Sequence, residues 1–447
     1  MTVSPVKPLI LKLAAPTIVS MLVTAVYNLA DTFFVSQLGT SATGAVGVVF
    51  SLMAIIQAIG FTLGLGSGSL ISRALGRRDE AYAHRIGSSG FFAAIALGAL
   101  LTLFGSLFLI PLMRGLGATP TVLPYARSYA RYILFGAPIM AASFTLNNLL
   151  RAEGKASFAM VGLALGGVLN IGLDPLFIFV LDLGISGAAL ATLLSQCVSF
   201  CLLLGIYLRR RCVVQLHPKY VSRRMRDYAD IIRNGMPSFC RQGLASISTI
   251  LLNVQAAAFG DAALAAMSIV SKVFMLIFCV GLGVGQGYQP VVGYNYGAKK
   301  WRRVKEAFLF TYATGTGLMA VLGGLAFWLA PHLVPLFIDD SAVVRIGTEA
   351  LRYQAAVMPL LTTNVMCNMT FQSIGRSLKA TLLSCCRQGI FFIPTVLLLP
   401  PLVGLTGVEC VQPVSDVCTF LVSLPVALLF LREVNRKSLV AEVRSNQ

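Results

Sequence analysis

Two carboxylic acids, Asp31 and Asp174, lie inside apolar stretches of this 447-residue chain. Tyr27 precedes the first by four residues and Asn170 precedes the second by four, so each pair shares one face of a helix. Carboxyl groups with amide and hydroxyl neighbours in apolar surroundings suit reversible protonation, and their oxygens also suit a sodium ion. The pattern therefore predicts a cation-binding site, for a proton or Na⁺, at Asp31, Asn170 and Asp174.

Polar residues in other apolar stretches extend this predicted site. Asn147, Asn148 and Thr192 are predicted to complete the polar cluster. Pro175 directly follows Asp174 and lacks a backbone donor. It should therefore kink its helix and free carbonyl groups beside the carboxylate.

A structural role is the alternative for each acid. Asp31 would then end a helix near the outer surface, because Gly39 and Thr40 follow closely. Asp174 would stabilise the kink through hydrogen bonds. Isolated acids at membrane depth are usually functional, so the cation-binding role is favoured for both.

Four other charged residues fall in apolar stretches: Arg241, Lys272, Glu409 and Asp416. Buried charges are normally compensated. The two bases are therefore predicted to pair with the two acids.

The composition indicates a membrane protein. The chain is 57% hydrophobic and 12% charged, with a mean hydropathy of +0.81, whereas soluble proteins are roughly a quarter charged. A membrane-spanning helix needs about 20 apolar residues. Twelve such runs are centred near Val23, Ala58, Ala99, Ala141, Gly166, Leu194, Ser246, Cys279, Leu318, Leu361, Pro394 and Leu421.

The formal charge of +18 orients this membrane protein. Of the 35 basic residues, 28 fall in loops on one side, a set that includes Arg376, Lys379 and Arg387. By the positive-inside rule both termini are cytoplasmic. The expected location is the inner (plasma) membrane, with multiple passes, and the basic surface faces lipid headgroups, with no nucleic-acid partner.

The first half of the sequence reappears in the second half at a spacing of 221 residues. The matched anchors are Pro16 and Pro237, Gly39 and Gly260, Gly76 and Gly297, Pro138 and Pro359, and Gly154 and Gly375. Six spans in each half enter the membrane in the same direction, so the repeats are parallel. The predicted fold is all-α, with 12 transmembrane helices as two parallel six-helix repeats. None of the charges at membrane depth recurs at the repeat spacing.

The repeat also sets the predicted domains. Residues 1–210 form the N-terminal bundle, 211–230 a cytoplasmic linker, 231–433 the C-terminal bundle and 434–447 a cytoplasmic tail. The expected oligomeric state is a monomer.

The second span and its copy, 60–76 and 281–297, are rich in glycine. Close helix packing is the favoured interpretation, and a mobile gate near Pro290 is the alternative. The residues predicted to line a substrate cleft or act in gating are Pro16, Asn148, Arg241, Lys272, Gln286 and Pro290.

With these features in view, the chain resembles the multidrug and toxic compound extrusion (MATE) family, and its DinF-like branch most closely. The resemblance is carried by LAAPTIVSMLVTAVYNLADTFFVSQLG at Leu13–Gly39, RAEGK at Arg151–Lys155 and NIGLDPLFIF at Asn170–Phe179. It implies a MATE/MOP-type fold and export of varied organic compounds in exchange for H⁺ or Na⁺. The cation-coupling positions that it implies are Tyr27, Asp31, Asn147, Asn170, Asp174 and Thr192. The other bacterial branch has an acid in the seventh span, where this chain has Arg241 and Gln255.

The predicted function is therefore a secondary active antiporter that exports organic, cationic or amphiphilic compounds by alternating access. It is not an enzyme, it needs no cofactor besides the coupling ion, and its partners are small organic substrates and the lipid bilayer. No GxxxxGK[ST] phosphate loop occurs in the sequence. The alternatives are a flippase for lipids or lipid-linked oligosaccharides, which Arg241 and Lys272 would favour, an intramembrane enzyme, and a channel or sensor.

Overall fold

The computed structural model describes residues 1–338 and 340–445, and every regular element in these residues is helical. Apolar runs form helices in a bilayer because each backbone N–H and C=O must bond within its own segment. The α-helices are α1 (Val6–Ser36), α2 (Thr40–Gly76), α3 (Glu80–Leu107), α4 (Leu109–Gly115), α5 (Leu123–Ala152), α6 (Ala156–Pro175), α7 (Gly184–Leu208), α8 (Met225–Ala257), α9 (Asp261–Gly297), α10 (Trp301–Leu333), α11 (Ser341–Ser373), α12 (Ser377–Cys385), α13 (Phe392–Val403) and α14 (Leu405–Ser445). Two π-helical segments, Leu176–Val180 and Cys386–Ile390, and a 3₁₀ turn at Pro218–Tyr220 complete the described elements.

Within the described residues, ten helical segments are long and apolar enough to cross a membrane. They are Val6–Ser36, Thr40–Gly76, Glu80–Leu107, Leu123–Ala152, Ala156–Val180, Gly184–Leu208, Asp261–Gly297, Trp301–Leu333, Ser377–Val403 and Leu405–Val443. The sequence predicted twelve spans. The other two are the helices α8 and α11, which are 33 residues long but carry polar residues such as Arg241 and Gln354 within their apolar runs.

Glycines shared by the two halves lie at helix ends. Gly39 precedes α2 with φ of +113°, and Gly260 precedes α9 with φ of +104°. Gly154 and Gly375, which follow α5 and α11, have φ of +82° and +85°. Only glycine adopts such positive φ values without strain. The repeat therefore keeps glycine where the backbone turns between helices.

The chain forms two compact units. The first-half unit is Val19–Phe239, and the second-half unit is Met1–Ile18 together with Cys240–Gln447. The helices α1 and α8 are each divided between the units, after Ile18 and after Phe239. These two division points are equivalent positions in the 221-residue repeat.

In the first-half unit, the start of α8 packs closely on α2. A Cβ added at Gly66 would lie 2.1 Å from the carbonyl oxygen of Ile231, and one at Gly235 would lie 2.0 Å from that of Thr62. Both neighbours are backbone atoms, so a side chain at either glycine would force the helices apart. This geometry agrees with close packing as the role of the glycines in residues 60–76.

In the second-half unit, the start of α1 packs on α9 in the same way. A Cβ added at Gly283 would lie 2.7 Å from the Cα of Ile18, and one at Gly287 would lie 2.5 Å from the Cα of Ala14. Gly287 is the repeat equivalent of Gly66. The copied glycines of 281–297 thus have the same packing role.

The predicted linker, 211–230, is held to α3 by hydrogen bonds. The backbone N–H of Gln215 donates to Nδ1 of His84 at 3.1 Å, and that of Ser222 donates to Oγ of Ser89 at 2.8 Å. These bonds fix the linker backbone against the first-half unit.

Glu153, between α5 and α6, also holds the linker. Its Oε2 accepts from the backbone N–H of Val213 at 2.8 Å, and its Oε1 accepts from the Tyr207 hydroxyl at 3.3 Å. The side chain is 7% exposed. Burial raises the pKa of the Glu153 carboxyl to about 7, although the backbone donors oppose the shift.

The C-terminal segment continues α14. Of the predicted tail 434–447, residues 446–447 lie outside the described residues, and the helix ends at Ser445. Lys437 donates to Glu433 at 2.7 Å, and its Nζ lies 4.8 Å from the ring centroid of Trp301 in α10. These contacts attach the polar end of α14 to the second-half unit.

Candidate functional site

Four helices of the first-half unit place polar side chains at one buried site. Asp31 lies on α1, Tyr129 on α5, Asn170 and Asp174 on α6, and Thr192 on α7. The side chain of Asp174 is fully buried and that of Asp31 is 8% exposed. Asp31 accepts a hydrogen bond from Tyr129, and Asp174 accepts one from Asn170. The sequence predicted one polar cluster that contains both acids, and the structure buries both of them in the first-half unit.

The Tyr129 hydroxyl donates to Oδ2 of Asp31 at 3.3 Å. The other oxygen of this carboxyl group, Oδ1, is buried and has no hydrogen-bond partner among the described residues. A hydroxyl bound to one oxygen fixes the orientation of the carboxyl group. It leaves the second oxygen available to a proton or a cation.

Asn170 connects α6 to α7. Its Nδ2 donates to Oδ1 of Asp174 at 3.2 Å and to Oγ1 of Thr192 at 3.4 Å. Within the described part of the chain, Oδ1 of Asn170 and Oδ2 of Asp174 are buried without a donor. The helical spacing of four residues therefore produces the contact that the sequence predicted.

A small cavity borders this cluster. Its polar lining residues are Tyr27, Asn170, Thr192, Ser195, Gln196 and Ser199. Tyr27 is 7% exposed and packs closely on Gly167. A Cβ added at Gly167 would lie 3.1 Å from Cδ1 of Tyr27. Tyr27 thus adjoins the cluster through this cavity.

The chemistry of the cluster suits a hydrogen ion or a hard cation. Its atoms without a partner among the described residues are three acceptor oxygens, Oδ1 of Asp31, Oδ1 of Asn170 and Oδ2 of Asp174, and the hydroxyl oxygen of Ser195. A buried acceptor without a donor costs about 1–3 kcal/mol. A proton on a carboxylate, or a sodium ion with oxygen ligands, would remove that cost.

The helix changes geometry directly after Asp174. α6 ends at Pro175, and Leu176–Val180 continues as a π-helical segment. A proline cannot donate to the preceding turn, and π-helical segments are frequent at functional sites. The predicted interruption beside the carboxylate is present in this form.

Asn147 and Asn148, predicted to belong to the cluster, bond to backbone instead. Nδ2 of Asn147 donates to the carbonyl oxygen of Ala159 at 2.9 Å, and Nδ2 of Asn148 donates to that of Phe144 at 2.8 Å. Asn147 thereby joins α5 to α6. The described contacts do not connect either residue to Asp31 or Asp174.

Of the six residues predicted for a substrate cleft or gate, Asn148 lies in the first-half unit and the other five lie in the second-half unit. Pro16 lies within α1 in the part that belongs to the second-half unit. Gln286 and Pro290 are buried in α9, which continues through the proline to Gly297. Lys272 is exposed.

The predicted pairing of charges in the second half is wrong. Asp416 pairs with Arg387, at 2.8 Å from Nε to Oδ1, rather than with Arg241 or Lys272. Nη1 of Arg241 donates to Oδ1 of Asn368 at 3.5 Å. Arg387 was assigned to a cytoplasmic loop from the charge pattern, but it is 6% exposed inside the span Ser377–Val403. Glu409, the other predicted acid, has a buried Oε2 with no partner in the described residues.

Sequence reasoning missed Tyr129 and Arg387. A tyrosine in an apolar run needs a partner for its hydroxyl, and this requirement could have placed Tyr129 beside an acid. The apolar residues on both sides of Arg387, LLSCC and IFFIP, could have placed it at membrane depth.

Comparison with known proteins identifies the family. The model of the MatE family matches this chain twice, over residues 16–176 and 237–398. The chain belongs to the MATE family. The two matched segments begin at the repeat equivalents Pro16 and Pro237, so the sequence repeat is also the repeat of the family.

Relatives and solved structures cover nearly the whole MATE chain. Multidrug export protein MepA of Staphylococcus aureus (strain NCTC 8325 / PS 47) is 27% identical over 406 residues, which are 91% of this chain and 90% of that protein. MepA of Staphylococcus saprophyticus subsp. saprophyticus is 26% identical over 418 residues, covering 93% and 92%. A crystal structure of MATE in complex with MaL6 superposes with a TM-score of 0.92 at 28% identity, covering 97% of this chain and 98% of that one. A MOP superfamily transporter from Pyrococcus furiosus Vc1 (DSM3638), described with a binding pocket of reverse polarity, superposes with a TM-score of 0.90 at 29% identity and covers 97% of both chains.

These findings confirm the predicted fold class, an all-helical multi-pass membrane protein of the MATE type. They also confirm that the protein is a transporter and not an enzyme. MATE proteins are in general ion-coupled antiporters.

Proposed function

We propose that this MATE protein exports organic, cationic or amphiphilic compounds in exchange for H⁺ or Na⁺ that binds at Asp31 and Asp174. Both relatives are described as multidrug export proteins, which supports varied organic substrates. The chain has the DinF-like sequence pattern around these two acids, and we assign it to that branch.

One observation carries the coupling assignment. Two buried carboxyl groups share a site in which Asp31, Asn170 and Asp174 each keep one acceptor oxygen without a donor among the described residues. In an ion-coupled antiporter, a proton or sodium ion is the group that such oxygens would bind. The repeat adds support because neither acid is part of the duplicated scaffold. Leu252 is the repeat equivalent of Asp31, and Thr395 is that of Asp174.

The proposed transport cycle is alternating access between the two repeats. The ion enters the first-half cluster from outside and favours release of substrate, and its departure to the inside resets the protein. A membrane potential of about 100 mV supplies about 2.3 kcal/mol per charge, or roughly fifty-fold in concentration per coupled ion. ATP is not required for this cycle.

The proposed setting follows the charge pattern. Both termini face the cytoplasm, and the protein works as a monomer in the inner (plasma) membrane. The proposed division is 1–210 and 231–433 as bundles, 211–230 as the linker and 434–447 as the tail.

Dye efflux from proteoliposomes tests the proposal. Vesicles loaded with ethidium receive an imposed pH or sodium gradient, with wild type compared with Asp31→Asn and Asp174→Asn. Gradient-driven efflux should be lost in both variants. The matched control is Asp182→Asn, which changes an acid in the loop after α6 at a positive φ that asparagine tolerates, and which should keep full efflux.

Full gradient-driven efflux in both Asp31→Asn and Asp174→Asn would overturn the assignment. Transport in the wild type that neither gradient drives would favour the flippase alternative. Melting temperatures within a few degrees of wild type would show that any loss of efflux is not a loss of folding.

A further inference from the structure

A cavity in the second-half unit has two arginines in its lining. It lies between α8, α9, α11 and the segment around the π-helical turn Cys386–Ile390. Its polar lining residues are Arg241, Asn364, Asn368, Ser384, Arg387 and Gln388. None of its described lining residues is an acid. The remaining lining residues, among them Phe278, are apolar.

Arg387 is held rigidly at this cavity. Nε donates to Oδ1 of Asp416 at 2.8 Å, and the guanidinium carbon lies 4.7 Å from the ring centroid of Phe278 and 5.4 Å from that of Phe274. Its Nη2 is buried and has no hydrogen-bond partner in the described residues. A guanidinium presents several N–H donors in one plane, so Asp416 uses Nε and the donors of Nη2 remain open.

The backbone supports this arrangement. Arg387 and Gln388 belong to the π-helical turn, and their carbonyl oxygens accept from Oγ of Ser415 and Oγ of Ser248, each at 2.6 Å. Side chains on two other helices thus satisfy the carbonyls of the widened turn. Such turns are frequent at functional sites.

The charges around the cavity do not balance. Asp416 compensates one guanidinium, that of Arg387. Arg241 makes no ion pair within the described residues, and its contact to Asn368 is a single hydrogen bond at 3.5 Å. The cavity, whose described lining includes no acid, is therefore left with about one uncompensated positive charge on the half-buried Arg241, a state that an anionic group would stabilise.

We propose that the Arg241–Arg387 cavity binds the monoanionic group of an amphiphile, such as a carboxylate, sulfonate or phosphodiester, whose apolar body packs on Phe278. Arginine suits these groups because its fork matches two of their oxygens. The site is separate from the cation cluster on Asp31 and Asp174. It extends the substrate range of the transporter to anionic or zwitterionic amphiphiles.

A pair of probes with one ring system and opposite charge tests the proposal. Binding of 2-naphthoate and of 2-naphthylmethylammonium to the purified full-length protein in phosphatidylcholine nanodiscs is measured by calorimetry. The wild type should prefer naphthoate. Arg241→Gln should weaken the binding affinity for naphthoate roughly tenfold or more, because a charge-assisted hydrogen bond is lost. The affinity for the ammonium probe should stay unchanged.

Two further variants guard against a folding defect. Arg387→Lys keeps the positive charge that faces Asp416 but loses the planar guanidinium. It should weaken the binding of naphthoate and preserve the melting temperature. Arg432→Gln removes an exposed positive charge from α14 and should change neither affinity. Equal affinities of the wild type for both probes, or equal naphthoate affinities for Arg241→Gln and Arg432→Gln, would overturn the proposal.

The source of the anion is decided in the same assay. Weaker naphthoate binding in nanodiscs that contain phosphatidylglycerol, seen in the wild type and absent in Arg241→Gln, identifies a lipid headgroup as the occupant. Unchanged binding identifies a soluble amphiphile, and either result supports an anion site. Equilibrium binding does not depend on ion coupling, so this proposal and the one for Asp31 and Asp174 fail separately.

Discussion

Replacement of Asp416 by asparagine removes the only described charge that pairs with Arg387. The Asp416 carboxylate accepts from Arg387 and Gln412 on Oδ1 and from Gln354 on Oδ2, at 2.8, 2.9 and 2.9 Å. The side chain is 1% exposed. Asp416→Asn therefore leaves a buried guanidinium without its counter-charge.

The expected cost follows from these contacts. Removal of one partner of a buried ion pair costs about 3–5 kcal/mol. The lower end applies, because asparagine keeps one carbonyl oxygen for Gln354 and because the two phenyl rings still stabilise the cation. A loss of about 3 kcal/mol lowers the melting temperature by about 6–12 °C for a unit of this size.

Thermal unfolding of the detergent-solubilised protein measures this effect in a double-mutant cycle. Asp416→Asn and Arg387→Gln should each lower the stability of the protein. The stability lost in the double variant should be clearly less than the sum of the two single losses. Arg241→Gln is the control and should lose no more than about 1 kcal/mol of stability, since it breaks one long hydrogen bond and also removes a charge that has no ion pair among the described residues. Additive losses, or a loss in Arg241→Gln as large as that in Asp416→Asn, would refute the Arg387–Asp416 pairing.

Three more outcomes are expected. Gly235→Ala should destabilise by about 1–3 kcal/mol, because its Cβ would meet backbone, whereas Gly243→Ala on the same helix meets nothing within 4 Å and should be neutral or better in thermal unfolding. The raised pKa of Glu153 means that the folded state holds the proton more tightly than the unfolded state, so stability should fall as pH rises from about 4.5 through about 7, and a melting series should show this slope flattened in Glu153→Gln. Asn170→Ala should reduce ion-driven dye efflux at least roughly tenfold, because it removes a donor to a carboxylate, whereas Asn147→Ala should keep the ion dependence.

Much of the cluster is predictable from sequence because polar residues in apolar runs have few reasons to be there. Helical spacing alone placed Asn170 on the face of Asp174, and the structure shows the resulting hydrogen bond. Tyr129 was missed because its partner lies 98 residues away, a distance that helical periodicity does not address. Asn147 failed to join the cluster in the described contacts because a backbone carbonyl on the neighbouring helix takes its amide.

The charge pattern was less reliable than the apolar pattern. Counting bases by loop gave a consistent orientation, but it placed Arg387 in a loop although apolar residues flank it on both sides. The pairing of Asp416 depends on which side chain the π-helical turn directs inward, and no local sequence rule specifies that turn. In contrast, the glycine anchors were readable because positive φ leaves little choice of residue.

The most direct test of the central claim is the ion movement that accompanies export. Proteoliposomes with an internal pH or sodium indicator are given ethidium, and the ion flux is followed for the wild type and for the Asp31→Asn/Asp174→Asn double variant. We predict that the wild type moves H⁺ or Na⁺ opposite to the dye, and that the double variant binds ethidium but moves no ions against it. Ion movement of wild-type size in the double variant would contradict the account.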